Sequence, residues 1–160
     1  MAAFRHLLFA ALLAGSSPSL ANGPEAQPAE TSGLSAEARE AAAVVDAFHA
    51  ALRGGDTAAA LAMLAEDVLI FEGGGVERSK AEYASHHLEA DAAFSKAVTS
   101  TLTRRAGGVS GDLAWVASEG RTAGEYKGRP VDRVTAETML LRRSGGAWKI
   151  VHIHWSSGSN

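Results

Sequence analysis

From Ala97 onward the spacing of apolar residues changes from helical to alternating, and this change restricts the fold more than any other feature. Four long strand-like segments follow: Ala97 to Arg105, Leu113 to Tyr126, Val131 to Arg143 and Ala147 to Ser157. Glycine-containing turns separate them at Gly107-Gly108, Lys127-Gly128-Arg129-Pro130 and Ser144-Gly145-Gly146. Strands joined this closely pair antiparallel, and a sheet of such strands needs a cover for its apolar face.

The cover lies upstream. Ser35 is an N-cap with Leu34 ahead of it, and Val44, Val45, Phe48, Ala51 and Leu52 recur at helical spacing until Gly54-Gly55 stops the helix. Asp56 caps a short second helix running through Leu64. Val68 to Phe71 reads as a strand, broken by Glu72-Gly73-Gly74-Gly75. That glycine run lacks the Lys and Ser/Thr of a phosphate loop. Ser79-Lys80-Ala81-Glu82 is a capping box opening a third helix to about Phe94. Helices first and antiparallel strands afterwards define an α+β fold, helices on one face of the sheet.

The N-terminus is a different kind of segment. Arg5 is followed by the apolar run Leu7 to Ala14 and then by small residues ending at Ala21. This order predicts a signal peptide cut after Ala21, which places the mature protein in the periplasm or outside the cell, with no membrane span of its own. Residues 22–33 are poor in large apolar side chains and read as a flexible linker. The domain then covers residues 34–157, and residues 158–160 read as a frayed tail. The chain has no cysteine, so disulfides, thiolate metal sites and cysteine nucleophiles are excluded. A net charge of −3 without a basic stripe argues against nucleic acid.

Strand parity sorts side chains by face. On the last strand Val151, Ile153 and Trp155 share one side, while Ile150, His152, His154 and Ser156 share the other. Trp115, Ala117, Glu119 and Arg121 share a side, as do Arg133, Thr135, Glu137 and Met139. Both sides of the last strand are largely apolar, so both need cover, one by helices and one by a partner subunit.

Gly128, Pro130, Glu137-Thr138, Arg143, Trp148, Val151-His152, His154 and Ser156 form a pattern. In it the chain resembles the nuclear-transport-factor-2-like superfamily, in particular its SnoaL-like members. The C-terminal half is similar to the association domain of calcium/calmodulin-dependent protein kinase II. The resemblance implies a cone, a curved mixed sheet wrapped around the long helix with a pocket at its open end, and association through the sheet. Three pocket arginines of the kinase domain fall here on Glu119, Met139 and Trp155, so carboxylate binding is not carried over. The same alignment puts Val151 and Trp155 on the pocket side and both strand histidines outside.

The candidate pocket therefore comprises Phe71, Tyr83, His87, Trp115, Glu119, Met139, Val151 and Trp155. Ile150, His152 and His154 are assigned to a subunit contact rather than to a metal site. Glu119, between Trp115, Met139 and Trp155, is a carboxylate whose pKa burial would raise. His87 stands one helical turn before Asp91, which could orient its imidazole, and Tyr83 shares its face. Two functions follow. The first is a noncatalytic homodimer that takes a small, mostly apolar molecule without cofactor or metal. The second is an isomerase, cyclase or hydratase in which Glu119 or His87 moves a proton beside a carbonyl and Tyr83 donates to the oxyanion. Sequence leaves open whether the chain is an enzyme.

Overall fold

The computed structural model describes Glu30–Ser159. The signal-peptide expectation for Met1–Ala21 and most of the linker lie outside the described residues. In chain order the elements are β1 (Glu30–Leu34), α1 (Ala36–Gly54), α2 (Thr57–Met63), β2 (Leu64–Glu72), β3 (Gly75–Glu77), α3 (Lys80–His86), α4 (Leu88–Ala97), β4 (Val98–Ser110), β5 (Leu113–Tyr126), β6 (Arg129–Ser144) and β7 (Ala147–Ser159). The fold is α+β, with one seven-stranded sheet in the order β1-β4-β5-β6-β7-β2-β3. β1 with β4 and β2 with β7 are the parallel pairs.

α1 forms where the capping and apolar patterns agree. The Ser35 Oγ accepts from the Ala38 N–H at 3.2 Å. The helix ends at Gly55, whose φ of 74° is readily adopted without a Cβ. Its buried stripe, Ala38, Ala41, Ala42, Val45, Phe48 and Leu52, lies against the inner face of the sheet. Met139, Leu141, Ile150, Ile153, Val116 and Val68 complete this core and are fully buried. Burying each such side chain contributes roughly 1.5–3 kcal/mol. Among the described residues no helix is long and apolar enough to cross a membrane.

Two-residue turns set the register of the long strands. Lys127 and Gly128 both have positive φ, 52° and 73°, and pair Tyr126 with Arg129. Counting back along both strands places Val116 opposite Met139 and Ser118 opposite Glu137. Gly145-Gly146 makes the corresponding turn between β6 and β7. Two bulges then bend the sheet around α1, one in β4 between Leu102 and Arg104, one in β7 between Ile150 and His152.

Several boundaries differ from the sequence reading. The last linker residues pair with β4 as β1. The expected frayed tail continues the ladder, with Gly158 opposite Val134 and Ser159 opposite Arg133. The expected single third helix divides at His87, whose φ of −112° departs from helical geometry. β3 was not foreseen, because its three residues are too few to show a period.

Candidate functional site: a polar row inside the sheet

Arg105, Ser118, Glu137 and Trp155 stand opposite one another across β4, β5, β6 and β7. Their side chains form a polar row on the inner face, and Asp46 and His49 of α1 reach onto it. One oxygen of Glu137, Oε2, accepts from His49 Nε2 at 2.6 Å and from Trp155 Nε1 at 2.7 Å. The other, Oε1, is buried without a partner. The Trp155 indole also stacks on Phe48, with ring centroids 6.3 Å apart.

Arg105 extends the row. Its side chain is 7% exposed, and the guanidinium donates from Nη1 to Asp46 Oδ1 at 2.7 Å and from Nε to Ser118 Oγ at 3.1 Å. Beside it an open surface groove of about 240 Å³ runs between α1 and the sheet, lined by Leu34, Arg39, Ala42, Ala43, Asp46 and Arg105. Burial alone would raise the pKa of Glu137. The His49 and Trp155 hydrogen bonds and the nearby His49 and Arg105 charges outweigh burial and hold the group below the usual carboxylate range. Glu137 is thus an ionised anchor at neutral pH. His49 is 29% exposed, so its imidazole can be reached. With Nε2 donating to the carboxylate, Nδ1 is the nitrogen left to accept a proton, the arrangement of a carboxylate-oriented general base.

The structure redistributes the sequence candidates. Met139 and Trp155 face α1 in the interior. Glu119 and Trp115 lie on the outer face, exposed, and Glu119 stands 3.6 Å from Arg104. The correction follows from the turn at Lys127-Gly128: if Met139 points inward, so do Val116 and Ser118, and their odd-numbered neighbours point out. Phe71 is also on the outer face, packed edge-on against His152 and His154 with centroids 5.2 and 6.2 Å away. Its neighbour Ile70, paired with Ile153, takes the core side. Ile150, assigned to a subunit contact, is fully buried in the core. The β7 bulge leaves Val151 unpaired, so Ile150 and Ile153 share a face despite opposite parity. His152 Nδ1 meets the Leu69 carbonyl at 2.8 Å.

Tyr83 and His87 line a second, water-sized pocket with Ile70, Glu72, Val76 and Glu77. The expected His87–Asp91 pair is replaced by two others. His87 Nδ1 bonds Glu77, and Asp91 accepts from the Tyr83 hydroxyl at 2.9 Å. Burial raises the pKa of both members of the Tyr83–Asp91 pair. The Tyr83 hydroxyl is therefore committed to Asp91 and is a poor oxyanion donor. The structure brings neither Glu119 nor Trp115 to this pocket.

The sequence reading gives no role to His49, Asp46 or Arg105, and Glu137 enters it only through strand parity and the family pattern. A signal existed: Asp46 and His49 are three apart on one face of an alanine-rich helix, and Glu137 interrupts an inward-facing register beside Met139.

A curved sheet packed over one long helix is the architecture this chain shares with solved nuclear-transport-factor-2-like proteins. The SnoaL-like domain family model matches residues 41–159, and the chain belongs to that family. Among solved structures, a candidate ketosteroid isomerase from Shewanella frigidimarina is 46% identical, with TM-score 0.71 over 73% of this chain and 94% of that one. A candidate calcium/calmodulin-dependent protein kinase II association domain from Xanthomonas campestris is 23% identical, with TM-score 0.67 over 78% and 89%. The kinase II hub of S. rosetta is 22% identical, with TM-score 0.62 over 78% and 99%, and shares the fold. No curated protein matches the sequence.

Proposed function

We propose that the chain is a homodimeric small-molecule enzyme of the isomerase or dehydratase kind, with His49 as general base and Glu137 as the carboxylate that orients it. The observation that carries this reading is the hydrogen bond of His49 Nε2 to a buried, ionised Glu137. Arg105, beside the open groove at the end of the row, is the positive charge this reading assigns to an enolate or carboxylate oxygen. The 46% identical relative, a candidate ketosteroid isomerase, points to an enolisable carbonyl compound as substrate class.

Deuterium uptake by a panel of enolisable ketones, a steroid enone among them, tests the role in D₂O by mass spectrometry. His49→Gln is expected to slow exchange roughly 10²- to 10⁴-fold. Equal exchange in wild type and His49→Gln, or none with the whole panel, rejects it.

Association through the outer face of the sheet is part of the proposal. Leu113, Trp115, Val134 and Leu140 are exposed there at 39–54%, and Trp115 pairs directly with Leu140. Trp115→Lys is expected to weaken the dimer by about 2 kcal/mol or more, close to thirtyfold. Sedimentation equilibrium reads this; an unchanged dimer places the contact elsewhere.

A further inference from the structure

The structure assigns a second site, where β3 meets α3. We infer that Glu77, Glu82 and His86 bind one divalent transition-metal ion, of the zinc class, independently of the polar row inside the sheet, while His87 holds the Glu77 carboxylate in place. Glu77 ends β3 with its side chain only 7% exposed, yet its Oε2 is buried without a hydrogen-bond partner. A buried carboxylate oxygen with nothing to accept from is costly and calls for a cation or donor. Two imidazoles face that carboxylate: His86 Nδ1 lies 3.4 Å from Oε2, and His87 Nδ1 contacts Oε1.

The 3.4 Å separation is long for a hydrogen bond. It matches two ligands of one tetrahedral ion, which at metal–ligand distances near 2.1 Å stand about 3.4 Å apart. Glu82 supplies the third direction. One ligand atom each from Glu77, Glu82 and His86 lies within 4.8 Å of the others. Glu82 Oε2 accepts from the Arg78 N–H at 2.7 Å, which orients the side chain and leaves Oε1 available.

The local chain explains the convergence. Glu82 and His86 are one helical turn apart on α3 and share a face. The helix breaks at His87, which turns this second imidazole toward the same carboxylate. Mixed imidazole and carboxylate donors suit zinc-like ions, whereas calcium takes six or more oxygens. The strand histidines are not part of the set, because they pack on Phe71.

The test uses the full chain without an affinity tag, stripped with chelator and titrated with Zn²⁺ by calorimetry and with Co²⁺ by absorption spectroscopy. One ion per chain is expected, with cobalt bands of a four-coordinate N/O site. His86→Ala and His87→Ala should each weaken binding by roughly tenfold to a hundredfold or more, while His152→Ala binds as wild type. Replacing buried Glu77 can unfold the chain, so the exposed His86 carries the decision, with circular dichroism verifying the fold. No binding to the wild type, or binding that survives His86→Ala and His87→Ala, overturns the assignment. Loss of binding in His152→Ala also overturns it.

Discussion

Replacing Glu137 by glutamine is expected to lower the stability of the chain by about 3 kcal/mol at neutral pH, the worth of two hydrogen bonds to a charged, buried acceptor. The amide keeps the shape of the side chain but loses the charge that His49, Trp155 and Arg105 face. The deficit depends on pH. Because the folded chain holds this carboxylate below its ordinary range, its contribution is complete above the ordinary carboxylate pKa. It is lost as the pH falls through the lowered value. Urea unfolding of both proteins at a series of pH values checks this: their curves should be farthest apart near neutrality and converge in acid. A difference that stays constant with pH, or stays within experimental error throughout, would remove the charged anchor from the site.

The second large effect concerns β7. Ile150→Ala should cost about 3 kcal/mol, within the usual range for emptying a fully buried aliphatic position. His152→Ala, two residues on but half-buried on the opposite face, should cost less than about 1 kcal/mol. The contrast measures the bulge. Without it, strict alternation would put both side chains on one face and make their costs similar. Thermal or urea unfolding of the two variants decides, and equal losses would mean that the strand runs without the bulge.

These two positions show where sequence reading succeeds and where it stops. Capping at Ser35, the helical stripe from Val44 to Leu52 and the glycine turns of the C-terminal half are local signals, and they yield the order of elements. The faces of individual side chains depend on pairing, which is not local. The resemblance to the kinase association domain sets Glu119 at a pocket position, and strand parity brings Trp115 with it. A two-residue turn at Lys127-Gly128 instead sets its strand in a register that turns both outward. Ile150 was read as an outer residue because alternation was counted through a position where the ladder skips one.

The amino-acid order alone was enough for the α+β class, the long helix, the four long strands and the family resemblance, since periodicity, caps and turn residues act within a few neighbours of the chain. Only the tertiary structure decided which polar groups meet. Asp46 and His49 reach Arg105 and Glu137 across 59 and 88 positions of chain. Such contacts follow from strand register, two bulges and the seating of α1 together, and no short stretch of sequence encodes that sum.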